Sequence, residues 1–510
     1  MVPRTTRYTP APMATSDEAT RCVIEINTQN SVEILARSRE AQGLWAAKSA
    51  VDRAHRLRSL STIILERAEQ FAQAIHDDTG MLITDALALE ILPAARLIDQ
   101  WSLQAESLLE SSPLEFNPLV LPRKSARIER APRGVVAVLT SSLSPLLSPI
   151  RHGLPALLSG NALWLKPDER TPRTTNLIAS SLSGLLPADV VFVVPGGAEV
   201  GEFIIKSGVA AVFFSGGLDA AKRVAVCCAH DFIPCFVEVL RKTGAVVLDD
   251  ASIERTARGL VWAAFAKGGQ GVHSLGHVFV HQAIADSLAE RIATLTKELR
   301  AGIDHAPPPL QQRSQALLTQ LSTDNEGITV LAGGKSDPEQ NVFPPTVVRV
   351  ALEQVSWLPS FEKAPVLSLV VVKDEKQALE LAKNSALGPT ISVWTRHAER
   401  GQEIAQGLRE NVWTVNHHGV PSPLVGMPWS TTERTLDLIV SGSSDFDKHS
   451  CSKLVLVDRC TRSRELGWYP YDDTYQRMLV ETARLQSGGW LGRLMALLRL
   501  LVLYPKRWLS

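Results

Sequence analysis

Short apolar runs recur between residues 134 and 217 at a spacing that few architectures accept. Val135–Leu139, Asn161–Leu165, Val190–Val194 and Ala210–Phe214 each have the length of a strand, and helix-patterned segments separate them. Strands that are apolar on both faces belong inside a parallel sheet. Strand and helix alternating in this way imply right-handed βαβ units and an open, mostly parallel sheet, so the fold class is α/β. A second block of the same kind runs from about Glu238 to Asn416. Its expected strands are Ala245–Leu248, Val278–Val280, Leu367–Val372, Thr390–Trp394 and Val412–Asn416, and its expected helices cover about Ile253–Phe265, Ala283–Leu299 and Lys376–Asn384.

The remaining segments frame these blocks. From about Ser31 to Gln104, apolar positions recur every three or four residues, which predicts roughly three long helices; one ends at the glycine stop Gly80 and another covers about Thr84–Asp99. Pro113, Pro118 and Pro122 break the pattern before Arg127–Arg130, which alternates like a strand, as Lys453–Val457 does late in the chain. Residues 1–19 are rich in Pro, Thr and Ala without an apolar core; they read as a disordered arm, not a signal peptide. A length of 510 residues calls for more than one core. With 53 basic and 53 acidic residues the net charge is zero, which removes the electrostatic case for nucleic acid. Six scattered cysteines suggest a reducing, cytoplasmic setting, and His417-His418 has no Cys or carboxylate at ligand spacing, so no metal is expected.

Ligands of open α/β sheets sit beyond the strand C-terminal ends. Those ends carry Thr140–Pro145, Lys166–Glu169, Pro195–Gly201 and Ser215–Gly217. Lys166 and Glu169, three apart, could hold ribose hydroxyls and steady a diphosphate. Gly196, Gly201, Ser215, Gly216 and Gly217 would let backbone approach a phosphate at a helix N-terminus. None forms the G-x-G-x-x-G fingerprint, and each by itself also reads as an ordinary turn. Farther on, the small-residue run Phe265–Ser274, with Glu238 upstream on an apolar strand, has the frame of an active-site loop.

Taken in order, these landmarks resemble the aldehyde dehydrogenase superfamily. The similarity spans roughly Ser31–Val457 and rests on Pro132–Ala137, Pro155–Ala162, Leu165–Glu169, Val194–Gly201, Glu238, Gly269-Gln270 and Val393–Thr395. It implies a Rossmann-type parallel-sheet cofactor domain over 20–237 with 417–440 returning to it, and a catalytic domain over 238–416. A small β ribbon for homo-oligomerisation, into a dimer or tetramer, would combine 441–462 with 115–133; 463–510 would form a helical extension.

The family's NAD(P)-dependent oxidation of aldehydes to acids uses a cysteine nucleophile, an asparagine amide for the oxyanion and a glutamate that activates water. Glu238 fits the glutamate. Val272 stands where the cysteine belongs and Leu143 where the asparagine belongs. Losing an oxyanion donor costs ~10²–10³ in rate, and losing a nucleophile is of order ~10⁶ in a covalent mechanism. Cys235 is an odd step from Glu238 on one strand and so faces away from it; neither Ser274 nor His273 offers a complete replacement.

On the cofactor side, Lys166 and Glu169 match the adenosine-ribose contacts, and Asp168 beside them favours NAD over NADP. Binding would be weakened or lost through Gly217 for a serine, Phe361 (or Glu362) at a ribose contact, Leu240-Arg241 for two glycines, and a rewritten Pro428–Leu436. Two readings remain: a homologue that has lost catalysis, or an NAD-dependent oxidoreductase acting on an apolar or fatty aldehyde through a divergent site. Past the resemblance, 490–508 is mostly apolar with Arg493, Arg499, Lys506 and Arg507. This pattern suits a helix lying at a membrane surface, and equally one packed on the protein or on a second copy.

Overall fold

The computed structural model describes residues 22–27, 30–116, 123–271, 274–308, 312–322, 327–335, 342–361, 364–384, 388, 390–408, 412–418, 445–459, 465, 467–469 and 471–509. The arm 1–19, the return segment beyond residue 418, Val272, His273, Glu362 and Pro428–Leu436 lie outside the described residues. Two compact units result, residues 1–110 with 129–453 and residues 111–128 with 454–510.

The larger unit opens with helices Ser31–Ala46, Ala50–Glu66, Ala68–Thr79 and Leu92–Leu109. Ser49 caps the second by accepting the Asp52 amide, and Gly80 ends the third at φ 73°. The helix expected over Thr84–Asp99 is interrupted by a π-helical turn, Leu87–Ile91. That turn contains Glu90, which is fully buried, and π-turns of this kind cluster at functional sites.

Two strands follow, β1 (Ser112–Leu114) and β2 (Lys124–Pro132), paired antiparallel with Ser112 opposite Ile128. Next come β3 (Val135–Leu139), β4 (Ala162–Lys166), β5 (Val191–Val193), β6 (Ala211–Gly216) and β7 (Cys235–Val239). They form a parallel sheet in the order β5-β4-β3-β6-β7, and four of these strands match the apolar runs that open the sequence reading. Glu238 lies on its edge strand β7, opposite Ser215 of β6.

The second sheet holds β8 (Thr243–Val247), β9 (Leu275–His281), β10 (Ile328–Ala332), β11 (Thr346–Val350), β12 (Val366–Val372), β13 (Thr390–Trp394) and β14 (Val412–Val415). Their order is β10-β11-β12-β9-β8-β13-β14, parallel except for the β10–β11 pair. The strands β10 and β11 and the helix Gln312–Ser322 go beyond the sequence reading. β10 is mostly half-exposed and lacks the continuous apolar run that marks the inner strands.

In the smaller unit, β1 and β2 join β15 (Ser450–Asp458) in a three-stranded sheet. Lys124 Nζ holds Asp458 at 2.6 Å and Glu465 at 3.0 Å. A helical hairpin, Asp473–Ser487 and Trp490–Leu509, completes the unit. Among the described residues, no helix is long and apolar enough to cross a membrane.

Candidate functional site

The helix Leu147–Leu158 carries the centre of the site, and two buried glutamates hold it. Its N-cap, Leu146, has no side chain able to satisfy the free amides. Glu90 does so from the π-turn: its carboxylate accepts from Leu146 N at 3.1 Å, Leu147 N at 2.8 Å and Ser144 Oγ at 2.8 Å. Lys267 Nζ closes the same carboxylate as an ion pair.

Lys267 begins the small-residue loop, and its own amide donates to Asp85 Oδ2 at 2.9 Å. Lys267, Gly268 and Gly269 take φ values of 54°, 64° and 68° in succession. At Gly268 an added Cβ would lie 2.5 Å from Ala306 O, so glycine is required there by space as well as by φ. The loop around Gln270 is thus tied to the N-terminal helices through Asp85 and Glu90.

Glu238 meets the next turn of the helix. Arg151 forms an ion pair with its Oε2, and His152 Nε2 lies 3.1 Å from the same oxygen. Oε1 is buried with no hydrogen-bond partner among the described residues. Burial pushes the Glu238 carboxyl up, but the Arg151 charge and the His152 and Arg151 hydrogen bonds win and hold it well below the ordinary range. A base that activates water works best with a pKa near the operating pH. A carboxylate clasped in this way is poorly suited to that work.

Orphaned polar atoms run across the strand ends beside it. Leu139 pairs with Phe214 and Ser215 with Glu238, so Thr140, Ser215 and Glu238 fall on one row of three adjacent strands. Thr140 Oγ1, Ser215 Oγ and Glu238 Oε1 are all buried without partners among the described residues. Leu143 stands half-buried between Ser142 and Ser144 and brings no donor to the row.

Of the other candidates, Cys235 is buried on β7 and hydrogen-bonds Cys228, which with burial raises the Cys228 thiol. Ser274 accepts the Thr243 amide through its backbone oxygen at 3.0 Å. His418 bridges Thr243 and Ser392, at 2.8 Å from each, as a structural tie between β8 and β13. Among the described residues no group of three His, Cys, Asp or Glu could hold a metal ion.

A cleft of about 930 Å³ lies past the ends of β3, β4 and β6, with Leu139, Lys166, Gly201, Phe214 and Lys222 in its wall. Lys166 Nζ is 3.6 Å from Glu169 Oε2, and Glu169 stays exposed, so both remain within reach of a ribose. At Gly201 an added Cβ would lie 3.2 Å from Leu139 Cδ2, so a side chain would crowd the cleft. These residues fit the adenosine end of a dinucleotide.

Glu169, Gly196, Ser215, Gly216 and Gly217 are not in the cleft wall, and Glu169 is tied to it only through Lys166. Gly196 (φ 141°) turns the chain where a Cβ would meet Val200 at 2.4 Å; Gly216 leaves room for the Phe214 ring; Gly217 caps the helix Leu218–His230 with open space where a side chain would be. Burial opposes charge at Asp168, but two hydrogen bonds from Arg170 and its charge bring the carboxyl down to about 2. That charge is matched by Arg170 and does not stand as a lone negative beside the ribose, which weakens the ground for preferring NAD to NADP.

Sequence alone assigns no role to Arg151, His152, Glu90 or Asp85, and Lys267 enters it only as part of the Phe265–Ser274 run. Arg151-His152 left one signal, a charged and polar pair inside an otherwise apolar segment. Glu90 left none, because only the π-turn brings it inward.

A five-stranded parallel sheet and a second, mostly parallel seven-stranded sheet, with Glu238 on the edge strand of the first and a cleft past its strand ends, define a two-sheet α/β architecture. The chain belongs to the aldehyde dehydrogenase family, whose pattern it matches over residues 9–435. It is 28% identical over 442 residues to a 4,4'-diapolycopene aldehyde oxidase of Methylomonas sp, covering 86% of this chain and 83% of that one. It is also 28% identical over 389 residues to an NAD(+) benzaldehyde dehydrogenase of Pseudomonas putida, covering 74% and 78%. Among solved structures, betaine aldehyde dehydrogenase from Staphylococcus aureus, in complex with NAD+, superposes with a TM-score of 0.78 at 21% identity, covering 88% and 92%.

Proposed function

We propose that this chain is an aldehyde dehydrogenase-family protein that keeps the fold and the adenosine cleft and has lost the family's thiol chemistry. The observation that carries this reading is the Arg151–Glu238–His152 clasp. Val272 removes the nucleophile and Leu143 the oxyanion amide, and the remaining glutamate is engaged by a cation. NAD is the cofactor the cleft suits, through Lys166, Glu169 and Gly201, with contacts reduced at Gly217; when bound it supplies a hydride acceptor. The protein acts as a homo-oligomer, cytoplasmic and peripheral to membrane through 490–508, in a scaffold, regulatory or nucleotide-binding role.

A second reading has one observation in its favour. The row of buried atoms at Thr140, Ser215 and Glu238, without partners among the described residues, is a polar floor that a divergent oxidoreductase could use, and a relative is named for 4,4'-diapolycopene aldehyde. Aldehyde-dependent NADH formation by the wild type decides between them. No turnover of benzaldehyde or of a long-chain aldehyde is expected, while calorimetric titration registers NAD. Turnover that Glu238→Gln abolishes overturns the proposal.

A further inference from the structure

The C-terminal hairpin leaves a wide apolar face uncovered. Helix Trp490–Leu509 lies against helix Asp473–Ser487, with Ala496 buried and Leu500, Leu503 and Tyr504 half-buried. At 100° per residue those positions cluster on one side. The opposite arc holds Trp490, Leu494, Leu498, Leu501 and Val502, each between 48% and 75% exposed, with Leu491, Met495 and Leu497 filling it. A hydrophobic arc of this size facing water marks an interaction surface.

Charge identifies what covers it. Arg493 and Arg499 fall at the two borders of the arc. Past Glu481 the sequence holds Arg484, Arg493, Arg499, Lys506 and Arg507 and no Asp or Glu. Two copies meeting through this face would set these cations against each other, with Glu481 of the neighbouring helix as the carboxylate at hand and already shared by Arg484 and Arg499. A layer of acidic headgroups meets both demands: acyl chains take the apolar arc and phosphates take the bordering guanidinium groups.

Internal contacts hold the face in this presentation. Gly488 closes the turn, where an added Cβ would lie 2.7 Å from Arg484 O. Glu481, buried on the first helix, receives Arg484 at 2.7 Å and Arg499 at 3.1 Å, so the two helices are clasped while the arc stays outward. Trp468, Tyr469 and Tyr471 in the same unit are exposed aromatics of the kind that settle at headgroup depth.

We propose that this face is a docking surface for bilayers rich in acidic phospholipid, with the Trp490–Leu509 helix lying in the plane of the interface. The inference rests on the peripheral-membrane part of the function proposed above and names its lipid class. The full chain is floated with vesicles of phosphatidylcholine alone and of phosphatidylcholine containing about 30% phosphatidylglycerol. Binding at least about tenfold stronger to the acidic vesicles is expected, weakened by salt. Leu494→Glu with Leu498→Glu, at exposed positions, is expected to abolish it while leaving the circular dichroism spectrum unchanged.

Equal binding to both vesicles would overturn the acidic-lipid inference and leave peripheral binding standing. Binding to neither would overturn both. Vesicle-free dimers that the double variant dissociates, seen by sedimentation equilibrium, would assign the face to a second copy instead.

Discussion

Two buried glutamates hold the same helix, Leu147–Leu158, and they differ in how completely they are satisfied. Glu90 is fully buried, and the two oxygens of its carboxylate are spent on two backbone amides, a serine hydroxyl and the Lys267 ammonium. Glu238 shares one oxygen between Arg151 and His152 and leaves the other with no partner among the described residues. A carboxylate with every lone pair used is a structural part: it caps a helix and anchors a loop. A buried carboxylate with an orphan oxygen bears the mark of a site, since folded proteins rarely leave such atoms unpaired without a ligand, water or function to account for them. Arg151 supplies charge balance to Glu238, the residue proposed above as the family's water-activating glutamate, a role that needs basicity.

The contrast breaks most sharply at Glu90. Glu90→Leu strips Lys267 of its partner and the helix of its cap, and a buried pair broken on one side costs about 3–5 kcal/mol. Urea unfolding should show that loss, and a loss near zero would mean the carboxylate is not structural. Next in size is the release of Glu238. Leu143→Asn with Val272→Cys restores the missing groups but leaves the clasp. Adding Arg151→Met removes the cation, so that burial again dominates and raises the glutamate toward the working pH. Acid formation from benzaldehyde is expected to be about 10²-fold faster in the triple variant than in the pair; equal rates would show that the clasp does not matter.

The smallest effect is read from acid. The Glu238 carboxyl is depressed when folded, so its contribution to stability is complete above the unfolded value of 4.5 and is lost as pH falls below it toward the folded value. Glu238→Gln should therefore flatten the fall in unfolding free energy below pH 4.5, relative to the wild type. An unchanged slope would place Glu238 outside the ion pair.

Much of the fold was legible because its strands are buried on both faces. Val135–Leu139 and Thr390–Trp394 begin and end where their apolar runs do, and the helix Ile253–Phe265 follows its period. Edge elements were harder: β10 and β11 pair antiparallel at the margin of their sheet, and β10 lacks a continuous apolar signal. The site divided along the same line. Residues fixed by local pattern, such as Lys166, Glu169 and Gly201, could be placed from their spacing after a strand. Arg151, His152 and Glu90 come from segments far from Glu238 and from the Lys267 loop in the chain, and no spacing links them.

The sequence by itself determined the architecture, the absence of a thiol at position 272 and of an amide at position 143, and the amphipathic character of the last helix. Those properties are local: a run of apolar residues, a side chain's chemistry, a repeat of about 3.6 residues. Only the tertiary structure decided that Glu238 is ion-paired with Arg151, that Glu90 is a helix cap, and that the apolar arc of Trp490–Leu509 faces outward. Each of these depends on which side chain fills a given few ångströms of space. A buried charge takes its strength as a base from its neighbours, and packing chooses those neighbours from across the whole chain.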